Sequence, residues 1–261
     1  MKPQIIFFDI DGTLVSFKTH SIPASAKSAI RQLREKGIKV IIATGRAFSE
    51  MNNLEDLEFD GYITANGAYC IDSEGNTIVQ YHISKESLGK LSLYLEKKPF
   101  PCAFMTNNGS YINYADEQVL LINQLVNLPT SPVKLVSEII EHDIVQLSAF
   151  IDTDRETELL KHVLTDCVGN RWHSSFTDFN VKHCNKASGM DRFLEHFNIE
   201  LRYTMAFGDG GNDISMLKHA ATGIAMNNAS DDVKAAADYV TGSVDEDGIV
   251  NALNYFLNSI W

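Results

Sequence analysis

The chain lacks an apolar run long enough to cross a bilayer, so no membrane-spanning helix is expected. No secretory leader is expected either, since the apolar stretch after Met1-Lys2-Pro3-Gln4 meets Asp9 too soon, and a cytoplasmic protein is expected. Basic charge is scarce. The 22 Lys and Arg residues stand against 34 Asp and Glu, a formal net charge of -12, which speaks against a nucleic-acid binder. Any anionic ligand must therefore be received by a local positive site. Cys70, Cys102, Cys167 and Cys184 form no C-x-x-C pair, so reduced thiols are expected rather than disulfides or a zinc site. The eight histidines show no metalloprotease spacing, and there is no internal repeat or low-complexity tract. What remains is ordinary globular composition. With 261 residues, 44% of them hydrophobic, the chain is long for one domain and comfortable for two.

The stretch that organises the rest is Ile5-Ile6-Phe7-Phe8-Asp9-Ile10-Asp11-Gly12-Thr13-Leu14. An apolar run without alternation predicts a strand buried on both faces. Residues two apart on an extended backbone share a face, so Asp9 and Asp11 are expected to project together from its carboxyl end. In an open α/β sheet that end is where ligands bind. Two close carboxylates repel, and a bound cation or a shared proton relieves them. A helix follows, opened by Ile22-Pro23-Ala24 and stopped at Gly37. Lys39-Val40-Ile41-Ile42-Ala43 predicts a second buried strand ending at Thr44-Gly45-Arg46. Tyr62-Ile63-Thr64-Ala65 predicts a third, ending at Asn66-Gly67-Ala68.

The rhythm then changes. A hairpin is expected around Ser73-Glu74-Gly75-Asn76 and a helix from Ser84 to Lys98, with Ser84 as its cap. Residues 101 to 181 alternate short strands with helices in the manner of an α+β insert. Near Lys186 the first rhythm resumes, through a helix, the strand Thr204-Met205-Ala206-Phe207 and the loop Gly208-Asp209-Gly210-Gly211-Asn212-Asp213. The expected fold is α/β: a Rossmann-like parallel sheet with helices on both faces, carrying an α+β cap. Residues 1–82 and 185–261 would form the core and residues 83–184 the cap.

Four stretches thus stand at strand ends of one sheet, and each has a chemical use. Asp9 can attack phosphorus. Asp11 can protonate a leaving oxygen and then deprotonate water. Thr44 offers a hydroxyl and Lys186 a cation to non-bridging phosphoryl oxygens. Asp209 adds a hard oxygen ligand suited to magnesium. Asp213 can position a metal-bound water, and Asn212 can donate to a phosphoryl oxygen. The run Asp9-x-Asp11-Gly12 is not a calcium EF-hand, because the glycine comes too early and His20 occupies the twelfth position. Gly208-x-Gly210 is not a dinucleotide fingerprint, because Asp213 stands where the third glycine belongs.

The motifs DIDGTL, T-G-R, the lysine of NKASG and GDGGND resemble those of the haloacid-dehalogenase-type phosphatase superfamily, over essentially the whole chain. The chain is most similar to the Cof-like branch, in which a class-two cap of type B lies between the second and third motifs. Asn66-Gly67-Ala68 matches that branch's turn beside the substrate pocket. FFDIDGTLVSF and FGDGGNDISML look like bacterial sugar-phosphate phosphatases. The resemblance implies Asp9 as nucleophile and Asp11 as acid/base. It implies a phosphate- and substrate-binding set of Thr44, Gly45, Arg46, Lys186, Asn212, Asn66 and Gly67. Mg2+ would sit on Asp9, the Asp11 backbone carbonyl and Asp209, with Asp213 beside them. The implied reaction is hydrolysis of small phosphate monoesters, hexose phosphates foremost, through an aspartyl-phosphate. The implied partner is a small molecule, without nucleic acid or membrane, and the state a monomer or weak dimer. A phosphomutase and a non-catalytic phospho-sugar sensor are the alternatives. Cap contacts to the organic group are sought in Met105-Thr106-Asn107-Asn108-Gly109 and from Arg171-Trp172-His173 through Asp178.

Overall fold

Strand β1 (Ile5–Phe8) is buried at every position, as an apolar run without alternation requires. A computed structural model describes residues 2–51, 53–54 and 56–257, with the backbone only of Trp172. Four more strands follow: β2 (Lys39–Ala43), β3 (Gly61–Thr64), β4 (Tyr69–Asp72) and β5 (Thr77–Gln80). Next come β6 (Cys102–Thr106), β7 (Gly109–Ile112), β8 (Gln146–Ala149), β9 (Cys167–His173) and β10 (Phe176–Val181). The last three are β11 (Thr204–Gly208), β12 (Gly223–Ala225) and β13 (Tyr239–Val240).

They form two sheets. The larger has the order β13-β12-β11-β1-β2-β3-β4-β5, parallel from β13 to β3 and antiparallel through the hairpin β4–β5. The smaller has the order β7-β6-β8-β10-β9 and is antiparallel throughout. From β1 the larger sheet grows one way through β2 and β3 and the other way through β11 to β13. Strand β1 is therefore the switch point, the position where open α/β sheets bind ligands.

Alternation sends Ile6, Phe8, Val40, Ile42, Met205 and Phe207 to one apolar layer, beneath helices Ala24–Glu35 and Gly248–Leu257. Ile5, Phe7, Ile41, Ala43 and Ala206 enter the other, beneath helices Lys186–Phe197, Ile214–His219 and Asp231–Ala236. The expected α/β class, with helices on both faces, is what the chain adopts. Phe8 stacks on Phe207 with centroids 4.8 Å apart, directly below the loops that carry the carboxylates. Burying one such ring is worth about 1.5–3 kcal/mol, so the floor of the site is stiff.

Two local features differ from the sequence reading. Strand β1 stops at Phe8, so Asp9 and Asp11 do not share an extended strand. Asp11 instead lies in a turn in which the Gly12 N–H donates to the Val15 carbonyl at 2.8 Å. The segment Phe176–Val181, not singled out as a strand in the sequence, is the strand β10. Its polar residues Thr177, Asp178 and Asn180 are buried, and such residues mask a strand in sequence. Helix Lys85–Lys97 begins as expected, with Ser84 Oγ accepting from the Ser87 N–H at 3.2 Å.

Candidate active site

Asp9 is fixed by the sheet: its N–H donates to the Phe207 carbonyl at 3.0 Å. Gly12 has φ +87°, and an added Cβ would overlap the Asp209 carboxylate. Both the backbone and the space therefore require glycine there. At the end of β2, Thr44 is buried and its Oγ1 accepts from the Arg46 N–H at 3.1 Å.

Lys186 opens helix Lys186–Phe197, and the reason is a capping box. Asn185 Oδ1 accepts from the Ser188 N–H at 2.9 Å, and Ser188 Oγ accepts from the Asn185 N–H at 3.1 Å. Gly189 lets this helix lie close on β3, since a Cβ there would strike Ile63. Thus placed, the wholly buried Lys186 donates from Nζ to Asp9 Oδ1 at 2.6 Å and to Asp213 Oδ1 at 2.5 Å. Asp213 turns back on its own loop, where Oδ2 accepts from the N–H groups of Asp209 (2.9 Å) and Gly210 (2.8 Å). Asp209 accepts from Thr13 Oγ1 at 2.8 Å and from Asn228 Nδ2 at 3.0 Å.

Oxygens of Asp9, Asp209 and Asp213 all lie within 4.8 Å of one another. Burial, then the charge of Asp213, pushes the Asp9 carboxyl well above its usual range despite Lys186. Burial and Asp213 push Asp209 up to about 7. Burial works against the Lys186 ammonium, but Asp213 and Asp9 outweigh it and hold Lys186 above its ordinary range. Among the described residues, Asp9, Asp11, Asp209 and Asp213 meet two cations at this site, Lys186 and Arg46. The donors are hard oxygens, and the deficit equals one divalent cation. The residues therefore fit a metal ion. Asp9, Asp209 and Asp213 are all candidate holders: the oxygens of Asp213 also serve Lys186 and two amides, and those of Asp209 also serve the neutral donors Thr13 and Asn228.

A family model for haloacid dehalogenase-like hydrolases matches residues 6–253. The chain belongs to this family. YkrA of Bacillus subtilis (strain 168), which carries a phosphatase name, is 32% identical over 255 residues, covering 97% of each chain. A solved HAD subclass IIB sugar phosphatase is 42% identical with a TM-score of 0.91, covering 97% of this chain and 98% of that one. A phosphatase of the same superfamily from Bacteroides thetaiotaomicron is 36% identical with a TM-score of 0.90, covering 98% and 95%. This haloacid dehalogenase-like hydrolase is a phosphatase acting on small phosphate esters.

The loop ends of β1, β2 and β11 open into a cavity of about 400 Å³ between the two sheets, lined by Asp9, Asp11, Thr44, Gly45, Asp209 and Asn212 among others. Not every residue expected at the phosphate is placed for it. Arg46 grips Asp11 with Nε and Nη2, each 2.6 Å from an oxygen. It also donates to the carbonyls of Val126 (2.7 Å) and Glu50 (3.1 Å). Asn66, at φ 52° and buried, donates to Gln146 Oε1 at 3.0 Å and accepts from Asn212 Nδ2 at 2.9 Å. It joins the small sheet to the Asp209 loop. At Gly67 a Cβ would overlap the Asn185 carbonyl, so its role is close packing beside Lys186.

Among the expected cap contacts, Met105, His173 and Asp178 line the cavity. Arg171 is engaged elsewhere, with Glu156, Ser174 and Ile151. Asn107 accepts from Gln80, and the side chain of Trp172 lies outside the described residues. Sequence reasoning missed Gln146 and Ser148 on β8, and Thr13 and Asn228 around Asp209. The β8 pair had a signal. In Val145-Gln146-Leu147-Ser148-Ala149 the polar residues alternate with apolar ones, so both belong to one face.

Proposed function

We propose that this phosphatase hydrolyses sugar phosphates with Mg2+ and through an aspartyl-phosphate on Asp9. The observation that carries the reading is the buried triad Asp9–Lys186–Asp213, with Asp209 alongside, at the floor of a cavity open to an ester. Asp9 Oδ1 is engaged by Lys186, so attack on phosphorus falls to Oδ2. The new Asp9–phosphorus bond forms as the bond to the ester oxygen breaks, and Asp11 supplies the proton that oxygen needs. Water then attacks the same phosphorus, giving its proton to Asp11, and Asp9 is released with inorganic phosphate. Lys186 and the Thr44 hydroxyl face the charge that develops on the phosphoryl oxygens.

Mg2+, held by Asp9, the Asp11 carbonyl and Asp209, would offset carboxylate repulsion and polarise the phosphoryl group. Asp213 supports it indirectly, by fixing Lys186 and the Asp209 loop. Both oxygens of Asp11 are occupied by Arg46, so that fork must open when Asp11 gives its proton. Residues 83–184 act as the cap that selects the organic group, since the carboxylate end sees only phosphate. Four buried free cysteines accord with a reducing, cytoplasmic setting. The test is phosphate release from a panel of sugar phosphates, with Mg2+ and with EDTA. Release that needs the metal supports the reading; equal release in EDTA contradicts it.

A further inference from the structure

The cavity has two kinds of wall, and strand pairing explains the division. Phe104, Leu147 and Phe179 point into an apolar core on one face of the small sheet. Their neighbours Ala103, Met105, Gln146, Ser148 and Asp178 therefore take the opposite face, where they line the cavity. Register places Ser148 between Ala103 and Asp178 in one row, with Ile112 beyond Ala103. Gln146 pairs with Met105 in the next row. Along β8 and β10 this face carries Gln146, Ser148 and Asp178, with Phe176 at the head of β10, and along β6 and β7 it carries Ala103, Met105 and Ile112, with Ser110 beside Met105.

The polar half is built and buried. Asp178 is 3% exposed, and its Oδ1 accepts from Ser148 Oγ at 2.6 Å. The apolar half is extended by helix Glu117–Leu125 and the turn after it. There Val119 and Ile122 pack on Ile112, Phe150 and Phe176. Leu125 and Leu128 line the same cavity without joining that cluster, and Leu125 keeps 37% of its surface exposed. A bare hexose carries hydroxyls all round the rim of its ring, leaving only its small C–H faces apolar. Pressing some of those hydroxyls against leucines would strip their water without returning hydrogen bonds, which is costly. A group with one hydroxyl-bearing edge and one apolar face suits both walls.

We infer that the ester's organic part is amphipathic: a phosphorylated sugar or polyol, its hydroxyls read by Ser148 and Asp178, bearing a planar or apolar ring received by Leu125 and Leu128. This rests on the phosphatase reading above and narrows its substrate class. Leu125, Leu128, Ser148 and Asp178 are then specificity-determining residues.

The test compares kcat/KM for glucose 6-phosphate with kcat/KM for adenosine 5′-monophosphate and flavin mononucleotide, in the full chain with Mg2+. The wild type should favour at least one ring-bearing ester. Leu125→Asn should cut the ratio of ring-bearing to bare ester by about 10-fold, as the loss of apolar contact in a specificity pocket does. Leu128→Asn provides an independent second reading of that ratio. Ser148→Ala should lower both classes together and leave the ratio in place. A wild type that prefers glucose 6-phosphate to both ring-bearing esters, or a ratio unmoved by both leucine substitutions, overturns the inference. If the wild type releases phosphate from none of them, the reaction reading falls first. Calorimetric binding of the same esters to Asp9→Asn then decides the pocket: tighter binding of a ring-bearing ester sustains it, and equal or weaker binding overturns it.

Discussion

Lys186 donates to Asp213 Oδ1 at 2.5 Å with both side chains wholly buried, and the same ammonium reaches Asp9 Oδ1 at 2.6 Å. One cation therefore ties the carboxylate that anchors the Asp209 loop to the carboxylate proposed to attack phosphorus. Removing one partner of a buried pair leaves the other charges uncompensated, at a cost of about 3–5 kcal/mol. Lys186→Met in metal-free buffer at pH 8 should lose stability of that order, read by urea denaturation, and with Mg2+ present it should lose phosphate release. A variant as stable as the wild type would contradict the structural role given to this lysine.

Asp209 gives a pH prediction with a definite sign. Its folded value is pushed up to about 7, above the roughly 3.9 of an unfolded aspartate. Between those values the folded state binds more protons than the unfolded one, so stability falls as pH rises. Asp9 shifts in the same direction. Without metal, the melting temperature should therefore decline between pH 5 and pH 8. Mg2+ should raise it most at the alkaline end and flatten the slope. Identical slopes with and without Mg2+ would contradict a metal site on these carboxylates.

The paired acids should separate by leaving group. Asp11→Asn removes the proton donor but keeps the backbone carbonyl, so a loss of about 10²–10⁴ in kcat is expected on a sugar phosphate. The loss should be smaller on p-nitrophenyl phosphate, whose leaving group needs little protonation. Equal losses on both esters would count against Asp11 as the acid.

Asn66 tests how the two sheets are held. Its amide meets Gln146, Asp178 and Asn180 from the small sheet and Asn212 from the Asp209 loop. Asn66→Ala strands buried polar groups, each at about 1–3 kcal/mol, and its φ of 52° suits alanine poorly. A drop of at least that size in unfolding free energy is expected, with a raised KM. Unchanged stability would show that this amide cluster does not hold the sheets together.

The central strands of the larger sheet were legible because they are buried on both faces and carry the simplest signal there is, a continuous apolar run. Lys39–Ala43 was read with the bounds it has. The Asp9, Thr44 and Asp209 motifs were legible because each follows such a strand, whereas Lys186 opens a helix after β10 of the smaller sheet. Strand β10 was not, since Thr177, Asp178 and Asn180 are buried polar residues whose partners lie on other strands. The pairing of Arg46 with Asp11 spans 35 positions, and nothing local in T-G-R distinguishes an arginine that binds phosphate from one that holds the acid. The division of the cavity into polar and apolar walls depends on strand register, which only the folded pairing reveals.

The most direct test is to trap the phosphoryl group. The wild type and Asp9→Asn are mixed with a turned-over phosphate ester and Mg2+, quenched in acid within the first turnover, and their peptides are weighed. The expected result is one phosphoryl group on the wild-type peptide that contains Asp9, lost on further incubation with water, and none on Asp9→Asn, which also releases no phosphate. A phosphoryl group on another residue, or phosphate release by a stably folded Asp9→Asn, would contradict Asp9 as the nucleophile.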